Sequence, residues 1–548
     1  MNYTQQLSRI ERAIAGLHKQ YDPTERMLKV PFSSPGYHTT LKGGMVHPNK
    51  QSLEYALALL DTEKPEWIER GKAILERVVG LQDTNPASKT FGIWSWFLEE
   101  PLSQMSPPDY NWADFCGVSL LQVVRVHREK LSPELRRAVE AAILNACRSI
   151  VKRNVSPSYT NIAVMDAYVT LMTGELLQRP ELLSDGLARL GRFAKYTQDN
   201  GAFEEYNSPT YTIVALSELS RVAGHIKDPR ALALVQPLVY KAWEEFAGHF
   251  HAPTRQWAGP HSRAYASLLS NQALSVIQRG TQNRVSFGVE YFDREEPHVP
   301  LVCPRALEPL FGPLSQPRTV TETFIKRVNR VGTTYLHPDY ALGTVNQEDL
   351  WNQRRALLLY FGDAKTPGYA HLRFLKNGYD FSSAILTTKQ REGLVVGAVT
   401  FITNGGDTHI SLDKVKNATI KAKDLRLRLE LGGPAAKAVT IAQTIGKNAA
   451  TLTLPTFQLR FITAMAQFGE FEGKLVIGGD DTRKWVDIVL YEGDEREFNL
   501  AALDQALLAF TLRVGTQGSF QGQGSAGSYT LSSQGLSITV PTKPGPRK

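Results

Sequence analysis

The sequence predicts an α+β multidomain chain: an incomplete α/α toroid followed by an antiparallel β-sandwich. Three observations predict it. The chain has 548 residues, more than one ordinary hydrophobic core serves. From about Gln51 to Ile277 apolar residues recur at helical spacing, and beyond roughly Val285 they alternate with polar ones. Many helices and then many strands mark separate domains, drawn here as a helical domain over residues 1–280 and a β-domain over residues 281–548.

In the helical half, runs such as SLEYALALLD, PELRRAVEAAILNACRSIVKR, NIAVMDAYVTLMTGELLQR and PRALALVQPLVYKAWEEFAGHF follow one another. Several open on Pro, or on a Ser-Pro or Asp-Pro pair, where the missing N–H costs a helix nothing. About ten antiparallel helices in one layer would leave a face uncovered, and a double-layered ring removes that problem. In the second half, ATIKAKDLRLRLELGG, ATLTLPTFQLRFITAMAQF and KLVIGGDDTRKWVDIVLYEG are rich in Val, Thr and Ile and broken by turn residues. Such runs stack as antiparallel sheets. Gly478-Gly479-Asp480-Asp481 reads as a hairpin turn, and the Gly/Ser/Gln-rich stretch ending at Tyr529 as a turn or loop.

Composition excludes several classes. The formal charge of +8 is mild for this length and forms no basic stripe, so a nucleic-acid partner is not expected. A modest positive field does suit an acidic oligosaccharide or polysaccharide. The opening MNYTQQLSRIERAIAGLHKQY is amphipathic and lacks the form of a signal peptide, and no apolar run approaches the ~20 residues that span a bilayer. Cys116, Cys147 and Cys303 are widely spaced, with neither zinc-site pairing nor a disulfide framework. The expectation is a cytoplasmic chain with no membrane contact and no cofactor; no metal ligand is assigned, and a bound divalent metal and a homo-oligomer both stay open. No GxGxxG, P-loop, HExxH or GxSxG signature is present.

Four constellations carry candidate chemistry. The first, DNGAFEEYNSPTY, places Glu204, Glu205, Tyr206, Asn207 and Tyr211 in and after a loop, with Ser208-Pro209 opening the next helix. Capping by Asn207 or Ser208 accounts for one residue and leaves the aromatics unexplained. The second, WAGPHSRAY, gives Trp257, His261, Arg263 and Tyr265. As the first turn of a helix it would set His261 and Tyr265 on one face, an acid–base kit with an anion clamp. In the third, SYTNIAVMDAY, Asn161 is either a helix cap or an amide for a substrate carboxylate. The fourth, PPDYNWADFCG, offers Asp109, Asn111, Trp112 and Asp114, preceded by Trp94 and Trp96, one of which is expected in the core. Indoles suit the apolar faces of sugar rings, and amides and carboxylates their hydroxyls. Tyr37 and His38 add a loop before the ring helices, and Asn346 to Trp351 form a polar break among the strands.

A toroid followed by antiparallel sheets, with Asn161, Tyr211 and a later His/Arg/Tyr group, resembles the heparinase II/III-like and alginate-lyase-like polysaccharide lyases. One position departs: several of these lyases carry His directly after the Asn, and here it is Ile162. That leaves His261, His38 or His337 as the imidazole. The resemblance implies β-elimination at a uronic acid. Asn161, His261 and Arg263 would stabilise the enediolate. Tyr211, or failing it Tyr265, would move the proton, with His261 as base in a variant scheme. A phenol of pKa ~10 needs a cation such as Arg263 to act as base at neutral pH. Without a leader, the expected substrate is an imported oligosaccharide or a chain end, hence exo-action. Two alternatives stay open. A toroid glycoside hydrolase would pair Glu204 or Glu205 with Asp109 or Asp114, and a sugar-binding protein would use the indoles without turnover.

Overall fold

The computed structural model describes residues 3–33, 38–405, 415–444, 448–515 and 518–547; Tyr37 lies outside the described residues. The chain forms two compact units. The first comprises Met1–Gln198, Ile213–Trp243 and Asn271–Pro304; the second comprises Asp199–Thr212, Glu244–Ser270 and Arg305–Lys548. Two loop-bearing stretches that precede residue 280 thus group with the β half.

Ten α-helices are described: α1 (Tyr3–Ile14), α2 (Asn49–Leu60), α3 (Pro65–Val79), α4 (Trp112–His127), α5 (Pro133–Arg153), α6 (Thr160–Leu176), α7 (Pro180–Asn200), α8 (Tyr211–His225), α9 (Pro229–His249) and α10 (Asn271–Gly280). Pro begins α3, α5, α7 and α9, as the sequence predicts. Ser132 caps α5, its hydroxyl accepting from Leu135 N at 3.2 Å. Burial separates two layers. In α2, α4 and α6 nearly every residue is buried, whereas α3 and α5 bury one stripe. A helix buried all round must be covered on every side. Accordingly α4 packs between α2 and α6, while α3 and α5 lie outside them and touch each other. Gly174 lets α6 meet α7: a Cβ there would stand 2.5 Å from Leu183 N.

The segment from Tyr291 to His298 straps four helices by charge. Arg294 binds Glu54 of α2, Arg221 of α8 binds Glu295, Arg9 of α1 binds Glu296, and Arg279 of α10 reaches Asp293. Alternation was expected from Val285 onward, but the first strand of the β half begins at Arg318. Between them Pro297, Pro300, Pro304, Pro309, Pro313 and Pro317 deny both ladders their N–H donors. The described part of this stretch is irregular with short 3-10 turns.

In the second unit, two antiparallel sheets face each other. One runs in the order 474–479, 484–499, 419–432, 367–376, 357–362, 340–345, 330–337, 318–325; the other 347–349, 384–391, 394–401, 506–514, 458–468, 449–453, 440–443. Leu425, Leu427, Leu429 and Leu431 point into the core beside Phe374 and Val486, opposite Val395, Val399, Phe461 and Phe510. Arg426, Arg428 and Glu430 alternate to the other face, as the pleat requires. Gly478 to Asp481 does turn a hairpin between paired strands. The Gly/Ser/Gln stretch is not a loop: Gln521–Ser525 pairs with Ser528–Ser533 in a three-stranded sheet. Tyr529, Leu531, Ile538 and Val540 of that sheet cover Val396, Ala398, Leu507 and Ala509. The helical half followed by a β-sandwich is the architecture that the two sequence periods predict. No described helix is long and apolar enough to cross a membrane. The three cysteines are free and buried.

Candidate active site

The segments DNGAFEEYNSPTY and WAGPHSRAY, separated by about fifty residues, meet in the second unit. Asn207 joins them. At φ +43, a left-handed turn that Asn tolerates, its amide donates to Ala258 O at 2.9 Å and Pro260 O at 2.7 Å. Its oxygen accepts from Trp257 Nε1 at 2.5 Å. Ser262 N and Oγ both bond Tyr206 O, and Ser208 Oγ donates to Arg263 O at 2.6 Å. Ser208 also caps α8, accepting from Tyr211 N at 2.9 Å.

WAGPHSRAY does not open a helix, the condition under which His261 and Tyr265 would share a face; the next helix starts at Asn271. Pro260 has no N–H to give. The donors that a helix would use go elsewhere: His261 N to Arg355 O at 3.1 Å, Ser262 N to Tyr206 O at 3.2 Å and Ala264 N to Gln353 O at 2.7 Å. The extended chain that results carries Arg263 and Tyr265 toward Tyr211. Tyr211 and Tyr265 share a hydrogen bond of 2.6 Å between their hydroxyls. Tyr265 is 62% exposed, so the pair reaches the surface of its unit. The Arg263 guanidinium lies 4.4 Å from the Tyr211 ring centre and 5.2 Å from that of Trp351. It donates to Glu205 at 3.0 Å and twice to Gln353 Oε1, at 3.0 and 2.8 Å.

The electrostatics correct one expectation. Burial pushes the Tyr211 hydroxyl above its ordinary range, and Arg263 offsets only part of that. The cation does not make Tyr211 acidic; it sits under a phenol that keeps its proton. His261 is 1% exposed. Its Nδ1 faces Asn207 O at 2.6 Å and so carries the proton, while Nε2 is buried without a hydrogen-bond partner among the described residues. Burial lowers its pKa to about 3, and the imidazole is neutral.

Other expected ligand contacts are internal. Tyr206 is buried, stacked on Phe324 with centroids 4.1 Å apart, and donates to Glu348 at 2.8 Å. Trp257 is buried against Phe246 at 3.8 Å. Burial therefore withdraws Tyr206, Asn207 and Trp257 from ligand contact and makes them the frame. Glu204 pairs with Arg327 and accepts from Asn200 at 2.9 Å. Of the polar break, Gln347–Asp349 forms a strand, and the following residues Trp351 and Gln353 reach Arg263. Gln353 lies just beyond the polar break that the sequence marks from Asn346 to Trp351; the run Trp-Asn-Gln-Arg-Arg is the signal for it. His337 lies on a strand end, its ring 4.8 Å from that of Tyr340.

In the first unit a second cluster forms. Trp96 and Trp112 stack at 5.2 Å, and His38 lies 5.6 Å from Trp96 with its Nδ1 on Pro107 O. Asp109 accepts from Trp96 Nε1 at 3.1 Å, and Asn111 bonds Tyr159 OH and Arg153. Of Trp94 and Trp96, Trp94 is the one in the core, donating to Val78 O at 2.8 Å, which withdraws it from ligand contact. Asp114 is buried beside Asp166, and burial with that second carboxylate raises its pKa well above the usual range. A carboxyl so placed cannot serve an open cleft. Asn161 is buried in the first turn of α6.

A domain of unknown function, DUF8769, matches residues 13–285. No curated protein matches. Among solved structures, a heparinase III with methylated lysines aligns over 99% of this chain and 92% of its own at 9% identity, with a TM-score of 0.44. A heparan sulfate lyase HepC mutant from Pedobacter heparinus aligns over 90% and 82% at 9% identity, TM-score 0.36. The endoglucanase CelQ from Clostridium thermocellum, complexed with cellotetraose, aligns over 95% and 83% at 10% identity, TM-score 0.27.

Proposed function

We propose that the protein acts on polysaccharides, as a lyase that cleaves a uronic-acid-containing glycan by β-elimination. The observation that carries this is the Tyr211–Tyr265 hydroxyl pair, 2.6 Å apart, with the Arg263 guanidinium beneath one ring. Elimination needs a group to take the proton at C5 and a proton for the departing oxygen at C4 as the C4–C5 double bond forms. The exposed Tyr265 is the base in this scheme. Tyr211, whose proton is held by burial, donates a hydrogen bond that stabilises Tyr265 as the phenolate; Tyr265 takes the C5 proton and then gives that same proton to the leaving oxygen. Three of the five N–H donors of Arg263 are committed to Glu205 and Gln353. The remaining two are the groups proposed to neutralise the uronate carboxylate.

The hydrolase alternative asks for two carboxylates ~6.5–9.5 Å apart across a water. Glu205 is held by Arg263, Glu204 by Arg327, Asp109 by Trp96, and Asp114 is buried, which favours the phenols. The test offers uronic-acid oligosaccharides and follows absorbance near ~235 nm, the band of the conjugated uronate left by proton abstraction. A rise that falls by roughly 10²–10⁴-fold in Tyr211→Phe and in Tyr265→Phe supports elimination through the pair. Reducing ends without that absorbance would establish hydrolysis. Binding with no turnover on any glycan would leave a sugar-binding protein.

A further inference from the structure

We propose that Asp61, His127 and His298 form a binding site for a zinc-class divalent transition metal inside the helical unit. This inference is independent of the proposed lyase chemistry. The three residues come from distant parts of the sequence and each ends an element: Asp61 is the residue after α2, His127 closes α4 and His298 closes the turn Glu296–His298. Their ligand atoms all lie within 4.8 Å of one another. The Asp61 carboxylate sits between the rings, Oδ1 at 2.6 Å from His127 Nε2 and Oδ2 at 2.7 Å from His298 Nε2. The three side chains are 6, 6 and 2% exposed.

A carboxylate bridging two imidazoles in a protein interior is a costly way to join helices, because each polar group must be desolvated. Among the described residues, nothing bonds His298 Nδ1, so its ring is anchored only through the nitrogen that faces Asp61. Two imidazole nitrogens and one carboxylate oxygen suit zinc, cobalt and nickel. Calcium and magnesium, which prefer oxygen alone, fit poorly. With metal bonds of ~2.0–2.1 Å in tetrahedral geometry, adjacent ligand atoms stand ~3.3 Å apart. The present N–O distances need open by only about 0.6 Å, a side-chain rotation for a residue just past a helix end. Lys130, whose ammonium caps the Leu60 and Thr62 carbonyls, lies beside Asp61 and opposes a dication, so the carboxylate is indispensable. Bound metal would fix the ends of α2 and α4 to the strap that also holds α1, α8 and α10.

The test uses the full chain prepared without added histidines and stripped by chelator. Titration with CoCl2 is followed by the visible d–d bands of four-coordinate cobalt, and with ZnCl2 by calorimetry and melting temperature. The expected result is uptake of one equivalent, the four-coordinate cobalt spectrum and a raised melting temperature. His298→Gln, His127→Gln and Asp61→Asn should each weaken uptake by ~100-fold or more. Absence of the cobalt bands and of zinc heat in the wild-type chain overturns the proposal without reference to any variant. Undiminished uptake by folded His298→Gln would overturn it as well, by moving the metal to another of the histidines.

Discussion

At the scale of single residues, the candidate site depends on groups that never meet a ligand. The Asn207 side chain makes three buried hydrogen bonds and its backbone is left-handed, so Asn207→Ala should cost about 3–5 kcal/mol, the sum of orphaned partners and strain. Denaturant unfolding checks this; a loss under 1 kcal/mol would mean that Trp257 and the 258–260 carbonyls find other partners. His261 gives a pH signature. Its folded pKa of about 3 lies below the ordinary value of 6.5, so the unfolded chain binds the proton first. Its contribution to stability is whole above pH 6.5 and is lost as pH falls toward 3, at up to about 1.4 kcal/mol per unit. The stability gap between wild type and His261→Gln should therefore narrow from pH 7 to pH 4. A gap that stays constant would show that the ring is not buried neutral. Residue type alone announced that this region was chemically dense. It did not say which side of the loop each side chain takes: Tyr206 and Tyr211 look alike in sequence, yet one is core and the other faces Tyr265.

At the scale of elements, the loop carrying Arg263 and Tyr265 rests on a strand that comes very close. A Cβ added to Gly343 would stand 1.8 Å from Gly259 O, an impossible approach. Gly343→Ala should displace residues 258–261, lower stability by about 3 kcal/mol or more, and reduce turnover further than a remote destabilising change of equal size. Comparing kcat of Gly343→Ala with that of a matched core variant separates the two effects; equal losses would detach the loop from the site. Helix and strand were legible because their periods differ: α5 shows one apolar stripe, and Leu425 to Leu431 alternate strictly. The chain from 258 to 270 was not legible as extended, since Pro-His-Ser-Arg-Ala-Tyr also fits the opening of a helix. Its conformation is set by the carbonyls of Tyr206, Gln353 and Arg355, far away in sequence.

At the scale of the whole molecule, the strap from Tyr291 to His298 matters most, and it was the least legible part, because no local period marks it. It fastens α1, α2, α8 and α10 through charges that are individually expensive to bury. Glu54, 4% exposed, is the centre, with Lys50 and Arg294 on either side. Burial alone would raise its pKa, but the two cations outweigh that and hold it at about 2. A depressed carboxylate contributes stability above its unfolded pKa of ~4.5 and loses it as pH falls toward 2. Removing the charge leaves two partly exposed cations without their buried anion, which costs less than the ~3–5 kcal/mol of breaking a fully buried pair. Glu54→Gln should therefore lower the thermal midpoint of the helical signal at neutral pH, where nearly all helical residues belong to the first unit. The difference from wild type should shrink between pH 4.5 and pH 2, as wild-type Glu54 itself becomes neutral. Circular dichroism melts across that range decide it. A variant with an unchanged midpoint at pH 7 would mean that the strap is held by its hydrophobic contacts, and that the ion pairs merely tolerate their burial.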